Sequence, residues 1–184
     1  MIWFLILLAP SVLIAYLYNR LVRARNRVEG AWSDIDVQLQ RRHDLIPQLV
    51  TAVDQYASYE SATIGAVTVL RAEAMNAHSL AARGQAEEGL SEGLVRLIAL
   101  AEQYPDLKAN ENFLNLQLEL VETEDYLQFA RRYYNGSVRE LNTSIETIPS
   151  NFVAQLFGFT EKEYFQLASD EAAAVPLIKL ASVE

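Results

Sequence analysis

The sequence predicts an all-α protein, an antiparallel four-helix bundle with an N-terminal transmembrane helix. Three observations carry that expectation. Alanine, leucine, glutamate and glutamine dominate, while glycine and proline are scarce at 7 and 5 of 184 residues, which favours helix over sheet. From Asn19 onward apolar residues recur at spacings of three and four, the helical period. The opening stretch "MIWFLILLAPSVLIAYLY" carries no charge from Met1 to Tyr18. The chain therefore divides into a membrane span (1–18), a helical body (19–159) and a weakly ordered, acidic, alanine-rich tail (160–184).

At a helical rise of about 1.5 Å per residue the first segment covers about 27 Å, close to the apolar thickness of a bilayer. Trp3 near one end and Tyr16 and Tyr18 near the other suit the two interfaces. A cleaved signal peptide carries its charge before the apolar run. Here Arg20, Arg23, Arg25 and Arg27 follow it. The positive-inside rule then puts the N-terminus outside and the body in the cytoplasm. Pro10 would kink the span, which membrane helices tolerate.

The first cytoplasmic helix carries Leu21, Val28, Trp32, Ile35 and Leu39 on one face and is expected to end near Arg41. Pro47 belongs in a first turn rather than a helix interior, so a second helix is expected from Leu45, capped by Asp44. Its seam runs through Ile46, Leu49, Val53, Tyr56, Glu60, Val67 and Ala74. A loop around Gly84 leads to a third helix, 86–103, and "YPDLK" separates that from a long fourth helix, 106–148, stopped by Pro149. "YPDLKANENF" reads as capping and chain reversal, with a partner-docking loop as the alternative. The short piece "NFVAQLFGF" ends at Gly158. Its aromatics Phe152, Phe157 and Phe159 either close the bottom of the bundle, the simpler reading, or touch the bilayer to which the fourth helix returns.

Charge and composition exclude several functions. The net charge is −9, but residues 1–43 hold six arginines against three acids, so the remainder carries −12 and repels nucleic acid. With no cysteine, disulfides, thiolate metal sites and a cysteine nucleophile are excluded. Neither His43 nor His78 has a glutamate three residues before it, as a carboxylate-bridged metal site in a bundle requires, so no metal is expected. No Walker loop, dinucleotide glycine pattern or nucleophile elbow is present. Glu60 and Glu124, beside apolar seams, are expected to be buried ion-pair or hydrogen-bond partners. An enzyme would require a deep polar pocket converging on Glu60, Glu124 and Arg131.

Four stretches bear a resemblance. "YNRLVRARNRVEGAWSDIDVQLQRRHDLIPQLV" (18–50), "AEQYPDLKANENFLNLQLEL" (101–120), "ARRYYNGSVRELNT" (130–143) and "FGF" (157–159) resemble the LemA family in an ordered series running to about Phe165. Tyr59 and Gln48 depart from it, standing where histidine and asparagine are common. The resemblance implies a bacterial membrane protein with one N-terminal span and a cytoplasmic helical bundle. It implies no established enzymatic activity, because the family's biochemical role is poorly defined, so no catalytic residue can be carried over.

Within those stretches "YNRLVRARN" and "YNGSVRELN" share the pattern Y-N-x-x-V-R-x-x-N. On a helical wheel Glu124, Arg131, Asn135 and Asn142 form a polar strip beside the fourth helix's apolar face, while Arg25, Asn26 and Asp36 lie in or beside that of the first. Trp32 falls on the inward stripe, more a core residue than an exposed platform. Polar groups at such positions fix helix register. The predicted register sets Asn26 beside Asn142 and Asp36 beside Arg131 or Arg132, because pairing Asn19 with Asn142 would draw Glu146 into the bilayer. Arg20, Arg23 and Arg27, with the aromatics of 152–159, are the residues expected to face lipid headgroups. The expected partners are the lipid bilayer and an unidentified membrane or cytoplasmic protein, with no cofactor. The function expected is a non-enzymatic scaffold or adaptor at the cytoplasmic face, with an anionic-lipid sensor or remodeller as the alternative.

Overall fold

The computed structural model describes residues 2–165, with side chains from Pro10 onward. The described chain is all-helical: α1 (Ile2–Asp54), α2 (Ser61–Asn76), α3 (Leu80–Ala101), α4 (Pro105–Lys108), α5 (Glu111–Glu146) and α6 (Ser150–Leu156). Among the described residues no helix is long and apolar enough to cross a membrane. The predicted span 1–18 lies in part outside the described residues. So does the predicted tail beyond Phe165.

The expected break between Arg41 and Leu45 does not occur, because α1 runs through Pro47 to Asp54. A proline inside a helix removes the N–H that would bond the carbonyl four residues earlier, here that of His43. Arg71 replaces that donor: its Nε donates to the His43 carbonyl at 2.7 Å. A side chain from α2 thus satisfies the backbone acceptor that Pro47 orphans, and α1 continues. The real break comes later, in turns at 55–60, so the seam drawn from Ile46 to Ala74 belongs to two helices.

The loop expected around Gly84 is also displaced. α3 starts at Leu80, where Ser79 in an extended conformation accepts a hydrogen bond from Ala82 N–H at 3.1 Å, an N-cap. Gly84 is a buried helix residue. The long fourth helix is divided as well: α4 opens on Pro105, and α5 is started afresh by Asn110, whose Oδ1 accepts from Phe113 N–H at 3.2 Å. Gly158, at φ +69°, ends α6 as expected. Phe159 N–H donates to the Ala154 carbonyl at 2.9 Å and Gly158 N–H to that of Gln155, the Schellman arrangement that needs a left-handed residue there.

The described residues form two compact units. In the first (residues to Asp36, with Phe129–Tyr164), Leu17 and Leu21 of α1 pack on Val153 and Ala154 of α6, with Ile145 and Phe159 at the edge. The second (Val37–Gln128, with Phe165) holds a larger core. There Ile46, Leu49 and Val53 of α1 meet Ile64 and Val67 of α2, Leu90, Leu94 and Leu97 of α3, and Phe113 and Leu120 of α5. Gly93 of α3 packs tightly against α2: a Cβ there would lie 2.8 Å from Leu70 Cδ1. Residues 160–165 carry no helix but are docked. Asn142 Nδ2 donates to the Lys162 carbonyl and its Oδ1 accepts from Lys162 N–H, both at 2.9 Å, and Tyr134 Oη donates to the Glu163 carbonyl at 3.0 Å.

Candidate functional site

The most concentrated chemistry of the second unit is a buried polar cluster on α1, α3 and α5. Arg42 and Glu87 are fully buried and His43 is 6% exposed. Arg42 Nη1 donates to Glu87 Oε2 at 3.2 Å, Arg42 Nη2 to Ser91 Oγ at 2.6 Å, and Arg42 Nε lies 2.9 Å from Glu124 Oε1. His43 Nε2 bonds the other Glu87 oxygen at 2.8 Å. One arginine thus answers two carboxylates, as a buried charge requires. Water does not reach the Glu87 carboxylate, so this geometry locks helices together rather than receiving a substrate. Among the described residues no group of three His, Asp or Glu side chains gathers as metal ligands.

Glu124 is therefore an ion-pair partner, as the sequence predicted, but its partner is Arg42 on a continuous helix rather than a residue at a helix end. His43 is buried in α1, not placed in a turn. Glu60 is exposed at the N-cap of α2 and joins neither carboxylate. Sequence reasoning missed Glu87 and Arg42. The signal was present: Arg42 continues the stripe Ile35, Leu39, Ile46, Leu49, and Glu87 continues Leu90, Leu94, Leu97 by the same helical steps.

In the first unit Arg27 pairs with Glu140, and the Trp32 and Tyr134 rings meet edge-on at 5.5 Å. α1 and α5 run antiparallel there, offset so that Asn19 does not face Asn142. The Arg27–Glu140 and Trp32–Tyr134 pairs run close to the predicted offset, which sets Asn26 level with Asn142, but no hydrogen bond joins the two asparagines. Asn26 is exposed, and the Asn142 amide is committed to the Lys162 main chain. Trp32, Asp36, Arg131 and Asn135 are all engaged by neighbouring groups. Burial of the Tyr134 hydroxyl, and then the nearby Glu163 carboxylate, raise its pKa above the ordinary value of 10.0.

The lipid-facing candidates separate into two groups. Phe159 is half-buried, and the Arg25 guanidinium lies 5.4 Å from its ring centre. Phe152 and Leu156 of α6 and Phe157 just past its end stand out at 64%, 72% and 50% exposure. Tyr18 packs against Phe157 at 4.7 Å and Phe159 at 5.9 Å, so these rings sit where the uncharged run of α1 ends. Val12, Leu13, Ile14 and Tyr16 extend the exposed apolar surface along α1. Arg20 and Arg23 are exposed one turn further on.

A groove of about 660 Å³ opens between the last turns of α1 and the first turns of α5, lined by Pro47, Gln48, Thr51, Ala52, Gln55 and Tyr56 on one side and Asn110, Asn112, Asn115, Leu116 and Glu119 on the other.

The LemA family model matches residues 31–180, most of the chain. This chain belongs to the LemA family. It is 27% identical over 175 residues to magnetosome protein MamQ 2 of Paramagnetospirillum magneticum, covering 81% of this chain and 64% of that protein. It is 26% identical over 174 residues to magnetosome protein MamQ of Magnetospirillum gryphiswaldense, covering 80% and 64%. A protein named LemA from Metamycoplasma hominis is 26% identical over 163 residues, covering 88% and 74%. The chain thus spans 64% of the length of the two MamQ relatives. The LemA match takes in the buried cluster, the amide-lined groove and α6.

Proposed function

We propose that this LemA-family chain is a membrane-tethered, non-enzymatic helical scaffold or adaptor. Its body is an antiparallel four-helix bundle in the cytoplasm, held by residues 1–18 as a single span with the N-terminus outside, and it acts through protein contacts at the inner face of the membrane. The observation that carries this is the junction at Tyr18. The uncharged run ends against the exposed rings of α6, so one apolar surface continues from α1 into Phe152, Leu156 and Phe157. A patch of this kind on a soluble monomer would be a liability, whereas lipid or a partner covers it. The reading without an activity is supported by what the cluster does: Arg42 is held in ion pairs with both Glu87 and Glu124. The names of the relatives state no reaction.

Fractionation with proximity labelling from the body tests the proposal. The full chain should stay with membranes through high-salt washing, be released by deletion of residues 1–18, and label cytoplasmic or inner-face proteins. A full chain in the soluble fraction, or labelling confined to proteins outside the cytoplasm, would overturn it.

α6 also favours a second reading, a membrane-surface sensor or remodeller using Arg20–Arg27 and Phe152–Phe159 on anionic lipid. Co-sedimentation of residues 19–184 with anionic vesicles, abolished by high salt or by Phe157→Asp, would support that role. Failure to bind would leave the adaptor.

A further inference from the structure

We infer that the groove between the end of α1 and the start of α5 is a docking site for an extended peptide segment of a partner protein carrying a lysine or arginine. The inference rests on the adaptor reading and names the chemistry of the partner.

The walls are amides. Gln48 lies on α1 and Gln55 in the turn just past its end, its N–H still bonded to the Thr51 carbonyl at 3.4 Å, with Asn112 and Asn115 opposite on α5. A primary amide both donates and accepts, which is what alternating peptide N–H and C=O groups require. Gln55, Asn112 and Asn115 are exposed and make no side-chain hydrogen bond among the described residues, so their amides face solvent. Tyr56 is fixed by Asn110, whose Nδ2 donates to the Tyr56 hydroxyl at 3.4 Å. Ala52 and Leu116 supply an apolar floor. At about 660 Å³ the space is of the size that binds drug-sized ligands or a few residues of chain.

Charge then selects the occupant. Glu119 is the only ionisable carboxylate in the lining, and no cation accompanies it. Residues 37–128 carry 14 acids against six basic residues, so the surrounding field attracts a cationic segment and repels phosphate, nucleic acid or an acidic peptide. A basic side chain that reaches Glu119 while its main chain runs between the amide walls uses every feature of the groove.

Two fluorescein-labelled decapeptide pools test this against the full chain in nanodiscs, by anisotropy. One has lysine fixed at its centre, the other glutamate. The lysine pool should bind and the glutamate pool should not, and Glu119→Gln should weaken binding of the lysine pool about tenfold, the scale of a lost charged hydrogen bond. Asn115→Leu, at an exposed position, should do so too, and a circular dichroism melt like that of the parent chain would confirm that it folds. Equal binding of both pools, binding indifferent to both substitutions, or no peptide binding at all would overturn the inference. So would binding of a neutral oligosaccharide in preference to the peptides. None of these results touches the adaptor reading, which stands or falls on fractionation and proximity labelling.

Discussion

Arg42 is the residue on which the second unit's polar order depends, since it answers Glu87, Ser91 and Glu124 together. Removing one member of a buried ion pair leaves the other charge stranded. Arg42→Met should therefore destabilise the chain by about 3–5 kcal/mol in urea unfolding. Arg42→Met with Glu87→Met should cost less than the sum of the two singles, because the second change removes the stranded carboxylate. Additive losses would mean that the pair is not coupled. Tyr134 offers a test by pH. Its raised pKa means that folding favours the protonated phenol, so its contribution is complete below pH 10.0 and is lost as pH rises through the higher folded value. Tyr134→Phe should flatten the decline in stability above that pH, though it loses the bond to the Glu163 carbonyl. An unchanged alkaline profile would contradict the assignment.

At the scale of elements the sharpest case is α1, where Pro47 and Arg71 act as one device. Arg71→Met leaves the His43 carbonyl without its donor and should cost about 1–3 kcal/mol. In a Pro47→Ala background the restored backbone N–H can reach that carbonyl, so the same substitution should cost markedly less. Equal costs in both backgrounds would show that the Arg71 bond does not compensate for the proline. The same pair marks the limit of what the sequence disclosed. Helix content, the inward stripe from Leu21 to Leu39, the Gly158 terminus and the ion-pair role of Glu124 were all legible, because each rests on local periodicity or one residue's backbone preference. The run through Pro47 was not, since the donor that rescues it lies 28 residues away on another helix. Asn142 was legible as a polar residue at a seam, yet its partner is an irregular segment at Lys162 that has no period to read. The amide groove was invisible for a related reason: its walls become neighbours only when α1 and α5 pack.

At the scale of the whole molecule, the proposed tether would carry a body with a buried Arg42–Glu87 ion pair and an acidic composition suited to cationic partners. At the membrane end, a spin label at Phe157→Cys in nanodiscs should sit at headgroup depth, while one at Tyr126→Cys should remain in water; equal exposure of both would detach α6 from the bilayer. The absence of native cysteine makes single-cysteine labelling unambiguous throughout. The most direct test of the central claim uses Tyr59, 98% exposed in the body. In cells expressing Tyr59→Cys, a membrane-impermeant maleimide should label the membrane-bound chain only after the inner membrane is permeabilised. Labelling in intact spheroplasts would put the body on the other side of the membrane and contradict the account.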